Sequence, residues 1–251
     1  LIWTLNRSWN VGQSIPPLGK FLDPFHGFWQ NAEKAPTASQ SITISGLQGE
    51  VIIVYDSALI PHIFAQNEDD LFLAQGFVTA QHRLWQMEFQ THAGAGRISE
   101  IIGSAALSYD RQQRRLGLMF GAQQAYDGIK NNPTSARMLE NFSKGVNAYI
   151  SQLTYEDFPL EYKLLDYAPE EWTEMKSAIL LKNMAQTLNM GEKDLEMTNT
   201  LHLFGKEMVA LLYPDFENVG DPIVDQKEGW RFQPVTTDSV PLALPAGLAS
   251  I

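Results

Sequence analysis

Three carboxylates follow Gly191 within five residues: Glu192, Asp194 and Glu196. Such a group repels itself unless a cation or a base neutralises it. A hard ion such as calcium takes about six to eight oxygens, so the cluster offers only part of a metal shell; taken alone, it reads equally as the solvated start of a helix. Just upstream, Met184 and Leu188 recur at helical spacing beside the polar Thr187 and Asn189. This pattern serves either a helix core or the wall of an apolar ligand pocket, since Met adapts to irregular shapes. Arg97 and Glu100 stand three apart, the spacing of a surface ion pair.

The residue types needed for a complete catalytic set are not brought together. The five histidines, His26, His62, His82, His92 and His202, are scattered, and structural roles are expected for them. His82 and His92 lie ten apart on one expected helix, which does not make them adjacent metal ligands. There is no Gly-x-Ser-x-Gly elbow, phosphate loop or dinucleotide fingerprint, and Ser41, Ser99 and Ser104 lack an evident base. The absence of cysteine removes thiol catalysis, disulfides and thiolate zinc sites from this chain. No catalytic residue is therefore assigned within it, and no organic cofactor is expected.

Composition sets the frame for these groups. The 251 residues are 44% hydrophobic and 11% aromatic, enough for a packed core in one large domain or two small ones. The net charge is −11 and unevenly spread, with 12 acids and 11 bases in residues 1–150 against 17 and 7 in residues 151–251. An acidic chain is a poor nucleic-acid binder, because neutralising phosphates needs a basic surface. No stretch reaches the roughly 18–20 apolar residues that span a bilayer. The opening Leu1-Ile2-Trp3-Thr4-Leu5 reads either as the end of an apolar segment removed upstream, a signal peptide or a membrane anchor, or as an ordinary strand at an arbitrary boundary.

The elements that must position the chemistry run from a few strands to mostly helix, an α+β order. Residues 1–40 form a Pro- and aromatic-rich segment, 41–212 the body, and 213–251 an extended tail or linker. In the body, Ser41–Ile44 and Glu50–Tyr55 flank Gly46-Leu47-Gln48-Gly49 and predict a hairpin, with Ile60–Phe64 as a third short strand. A helix is expected from an Asn67 or Asp69 cap to about Gly94–Gly96, with Leu71, Ala74, Phe77, Val78, Leu84, Trp85 and Phe89 on one face. Further helices are expected over Arg111–Ile129, Ser135–Leu153, from Pro169-Glu170-Glu171-Trp172 to about Met190, and over Leu195–Leu203.

Several motifs in order resemble the penicillin acylase family of N-terminal nucleophile hydrolases. Asp56-x-x-x-Ile60-Pro61-His62-Ile63 is similar to its Asp-x-x-Gly-Val-Pro-His-Ile, with Leu59 in place of Gly, so that the turn is expected to differ. Ala74-Gln75-Gly76-Phe77-Val78-x-Ala80-Gln81-x-Arg83-Leu84-Trp85-Gln86-Met87-Glu88 resembles the family's most distinctive run, with His82 replacing a common Asp. Gly96-Arg97-Ile98-Ser99-Glu100-x-x-Gly103 and Asp110-x-x-x-Arg114-x-Leu116-Gly117 follow in the family's order. The likeness covers about residues 45–205.

The resemblance implies a mostly helical small subunit that completes an αββα sandwich with a large subunit cut from the same precursor. The attacking residue would be the new N-terminal Ser of that partner chain, and the substrate a small N-acyl amide, penicillin-type or other. N-acyl homoserine lactones are the alternative within the same chemistry, and a non-catalytic binding protein that kept the fold is the alternative outside it. By the same likeness Met184, Thr187 and Leu188 line the acyl pocket, with Thr187 where Arg occurs and Leu188 where an aromatic is often found. Asp194 falls at the position of a calcium-binding Glu, which implies a structural calcium ion for which Glu192 could compete. The family setting implies export, to the periplasm or beyond the cell.

Overall fold

Asn67 and Gly96 bracket the longest of the described helices. The computed structural model describes residues 2–11, 13–32, 41–189 and 194–213. They fall into two units, one running through Thr187 and the other from Leu188. No described helix is long and apolar enough to cross a membrane.

The first unit opens with α1 (Ile2–Leu5) and two short antiparallel strands, β1 (Trp9–Val11) and β2 (Gln13–Ile15). A second antiparallel pair, β3 (Ile52–Tyr55) and β4 (Pro61–Phe64), aligns Ile52 with Phe64 and Tyr55 with Pro61. The helices are α2 (Glu68–Ala95), α3 (Ser99–Ile102), α4 (Leu107–Leu116), α5 (Leu118–Lys130), α6 (Pro133–Ile150), α7 (Leu160–Leu165) and α8 (Glu174–Thr187). In the second unit, α9 (Asp194–Leu212) departs from helical dihedrals at Gly205, where φ is 79°.

The ends of α2 are those read from the sequence. The Asn67 side chain accepts a hydrogen bond from Asp70 N, three acids sit in the first turn, and Gly96 takes the left-handed conformation at the C-cap. Inside that span only Arg83 leaves helical dihedrals. The main core gathers Ala80, Leu84 and Met87 of α2, Val146 of α6, Tyr162 of α7 and Trp172.

Four expectations are corrected. Residues 41–49 form no strand; in the expected turn, the backbone N–H groups of Gln48 and Gly49 donate to the buried Asp70 carboxylate at 2.8 and 3.0 Å, which ties this segment to the start of α2. The hairpin partner of β3 is therefore β4. The turn between them keeps a glycine-type conformation despite its substitution: Leu59 has φ 60°, while Asp56 Oδ1 accepts from Ala58 N and Ile60 N. The helix expected over Arg111–Ile129 is two helices, because Gly117 turns left-handed between α4 and α5.

The fourth correction concerns Glu170 and Glu171, which do not open a helix; α8 starts at Glu174. Asn147 of α6 brackets the Trp172 peptide, with Trp172 N donating to its Oδ1 at 2.7 Å and its Nδ2 donating to Trp172 O at 2.8 Å. That pairing holds the Trp172 backbone against α6, and residues 167–173 lie in neither helix nor strand. Glu192, most of the 213–251 tail and the side chain of Asp194 lie outside the described residues.

Candidate functional site

The helix expected to carry the acyl pocket, α8, is defined by what it buries. Ala178 and Ile179 pack with Ala95 of α2 and Ala122 of α5, a cluster of small side chains that lets three helices approach closely. At Gly94 the α2 backbone comes close to α8: an added Cβ would lie 2.9 Å from Ile179 Cγ2. The far side of α8 is left apolar and open: Leu181 is 55% and Met184 47% exposed. The Thr187 hydroxyl donates to Asn183 O at 2.9 Å, so it is satisfied within its own helix. Leu188, the first residue of the second unit, is also exposed.

A polar cluster ties the start of α8 to α2. Glu170 receives Arg97 at 2.8 Å and Lys176 at 3.0 Å, while Arg97 also grips Glu100 at 2.7 Å. Burial alone would raise the Glu170 carboxyl, but the Arg97 and Lys176 hydrogen bonds and charges outweigh it and hold the group down at about 2. The Glu170 backbone N–H donates to Glu88 Oε2 at 2.9 Å, and Tyr162 OH donates to the same oxygen at 3.0 Å. Glu88 is nearly inaccessible, and desolvation raises its carboxyl above the ordinary value in spite of these bonds and the nearby Lys176 charge.

His92, Glu100 and Glu170 bring one ligand atom each within 4.8 Å of one another, a geometry open to a metal ion. Arg97 bonds both carboxylates and Lys176 a second oxygen of Glu170, so their charge is already balanced by fixed cations. The trio therefore fits a partly exposed ion-pair network better than a metal centre.

The motif residues prove to be braces. The buried Asp110 carboxylate accepts from Ile98 N at 2.9 Å and Ser99 N at 2.8 Å, while Arg114 Nε donates to Gly96 O at 3.0 Å. The two glycine–arginine motifs are thus one interlocked corner. Burial pushes the Asp110 carboxyl up, but hydrogen bonds from Ser99 and Ile98, with Arg114 nearby, prevail and lower it. His62 pairs with Asp56 at 3.3 Å. His82 meets Tyr55 OH at 2.9 Å, a contact its replacement of Asp allows.

The sequence reading placed Met184 and Thr187 on one helix, as found, and paired Arg97 with Glu100. It missed Glu170 as the shared partner, seventy-three residues from Arg97. One of two adjacent acids in an expected first helical turn gave no sign of that. Among the described residues, His26, His62, His82 and His92 bond carboxylates, a phenol or a carbonyl. None of these partners is a nucleophilic serine.

With that geometry in hand, comparison with known proteins is informative. A family model described as Penicillin amidase matches residues 50–243. The chain is 34% identical over 149 residues to penicillin acylase 2 proenzyme of Pseudomonas sp. (strain SE83), which covers 59% of this chain and 19% of that protein. It is 31% identical over 206 residues to acyl-homoserine lactone acylase QuiP of Pseudomonas aeruginosa, covering 80% of this chain and 24% of that protein. Among solved structures, a thermostable penicillin G acylase from Alcaligenes faecalis shares the fold with a TM-score of 0.55 at 24% identity, over 70% of this chain and 94% of that one. The chain thus spans about a fifth to a quarter of the length of these curated relatives.

Proposed function

This chain belongs to the penicillin amidase family, and from that footing we propose that it is the small subunit of an amidohydrolase whose nucleophile is supplied by a large subunit from the same precursor. The reaction is cleavage of the amide between an acyl side chain and an amine. The N-terminal Ser Oγ of the partner attacks the acyl carbonyl, and its own α-amine, which titrates near 7.7–8.0 when free, accepts the proton directly or through a water. An oxyanion hole holds the tetrahedral intermediate, the amine leaves, and water releases the acid from the acyl-enzyme.

The observation that supports this reading is the open apolar side of α8. Met184 and Leu181 stand exposed on a helix braced from behind, and the described histidines of the first unit are already committed to structural partners. That arrangement suits one wall of a pocket whose reactive group comes from elsewhere. The test is hydrolysis of phenylacetyl and octanoyl amides by the two-chain protein. Release of amine from either supports the proposal; release from neither, by correctly processed protein, contradicts it.

A second reading within the same chemistry is favoured by Leu188 and Thr187. They replace the aromatic and Arg expected from the family likeness and so make an aliphatic, less charged acyl wall. N-octanoyl homoserine lactone is then the better substrate. Leu188→Phe should move preference toward phenylacetyl amides, and an unchanged preference removes Leu188 from the pocket.

A structural calcium ion held partly through Asp194 belongs to the same proposal. The carboxylates at 192, 194 and 196 are hard oxygen donors suited to that ion but too few to complete its shell. Chelation should lower the melting temperature of the whole protein; no shift argues against a bound ion. Export, to the periplasm or outside the cell and with or without a membrane anchor, is also proposed, and it fits a chain without cysteine. Fractionation of the producing cells tests it: recovery in the cytoplasm contradicts it.

A further inference from the structure

The geometry points to Gly94 as a positioning residue for acyl-group selection: by presenting no side chain to α8, it sets how far Met184 stands from α2. The inference rests on the reading of α8 as a wall of the acyl pocket.

Gly94 lies in the last turn of α2 and is buried. A Cβ there would sit 2.9 Å from Ile179 Cγ2, 3.3 Å from Asn183 Cβ and 3.5 Å from Ile179 O. The first contact is too short to persist, and the side chain that would have to yield is a stiff one. Ile179 is β-branched, 6% exposed and packed among the alanines at 95, 122 and 178. The Asn183 Cβ and Ile179 carbonyl are fixed to the α8 backbone and cannot turn aside. Relief comes instead from α8 moving as a body.

The direction of that movement follows from the packing. On another side α2 meets α6 through Gly76 and Gly145, whose added Cβ atoms would run into the carbonyls of Phe142 and Leu73. That contact makes α2 the fixed member of the pair. The side of α8 away from Gly94 carries Leu181 and Met184, and Met184 directly follows the crowded Asn183. Pushing α8 off α2 therefore carries Met184 outward, into any pocket its exposed side walls. Bulky acyl groups lose more from a narrower pocket than short ones do. Productive geometry tolerates a displacement of only about 0.5 Å in the residues that hold a substrate.

The experiment compares Gly94→Ala with wild type in the two-chain protein, using octanoyl and butanoyl p-nitroanilides. The expected result is a fall of roughly three- to tenfold in the octanoyl-to-butanoyl ratio of kcat/KM, borne mainly by KM for the octanoyl compound. Adding Ile179→Ala, which removes the most crowded methyl, should restore most of the ratio; if G94A alone fails to fold, the G94A/I179A double variant should still show a smaller shift in the same direction. A folded G94A protein that slows both substrates equally overturns the inference and leaves Gly94 a core-packing residue only. Should wild type cleave neither anilide, the proposed activity falls and the crystal structure of G94A decides this point alone. Met184 displaced from α2 then supports the inference, and Met184 unmoved overturns it.

Discussion

Gly76 and Gly145 form a reciprocal contact: a Cβ on Gly76 of α2 would strike the Phe142 carbonyl of α6, and one on Gly145 of α6 would strike the Leu73 carbonyl of α2. The two helices meet backbone to backbone, and the obstructing atoms cannot turn away. Gly76→Ala and Gly145→Ala should each destabilise the protein by about 3 kcal/mol or more, at the upper end of overpacking effects. Urea unfolding midpoints measure this. A change below roughly 1 kcal/mol would mean the helices separate freely.

Leu59 makes the opposite prediction. It occupies the left-handed region with φ 60° and is 76% exposed, so its side chain contributes little packing while its backbone carries strain. Leu59→Gly should raise stability by about 0.5–1 kcal/mol, the relief of left-handed strain less the extra entropy of glycine in the unfolded chain. Thermal unfolding of the variant reads the sign directly, and a lower melting temperature contradicts the account.

Asp110 should behave as an internal cap. Replacing it by Ala leaves the N–H groups of Ile98 and Ser99 without their acceptor in a nearly inaccessible corner. A loss of about 2 kcal/mol is expected. Amide exchange at residues 98 and 99 should rise more than exchange at the centre of α2; uniform acceleration would instead indicate a global effect.

The two acids of the α8 brace should titrate with opposite signs. Glu170 is held down at about 2 against an ordinary 4.5, so its stabilisation is fully present above 4.5 and is lost as pH falls from there through about 2. Glu88 is raised, so it stabilises fully below 4.5 and loses that contribution as pH rises through its folded value. Unfolding midpoints across a pH series should show Glu170→Gln losing most relative to wild type above 4.5. Glu88→Gln should improve relative to wild type as pH rises above that point. Parallel curves for both variants contradict these assignments.

What could be read in the sequence was local. Asn67 and Gly96 mark the ends of α2 because capping is chemistry between near neighbours. Met184 and Thr187 share a helix because the pattern around them is periodic. What escaped depended on distant partners. Ser41–Ile44 look like a strand, yet the turn expected to pair them with β3 is tied to Asp70 at Gln48 and Gly49. Glu170 and Glu171 look like a helix start, yet Asn147 and Glu88 take the backbone N–H groups of Trp172 and Glu170, and no helix forms there. Leu59 shows that a residue other than glycine can hold a left-handed turn position, which residue type alone does not reveal.

In the proposed function, this chain walls a pocket whose attacking atom lies on another polypeptide. The most direct test treats the two-chain protein with an aryl sulfonyl fluoride and maps the adduct by peptide mass spectrometry. The account predicts a single modified residue, the N-terminal Ser of the second chain, with hydrolysis lost in proportion to labelling. An adduct on any of these 251 residues that tracks the loss of activity would contradict it.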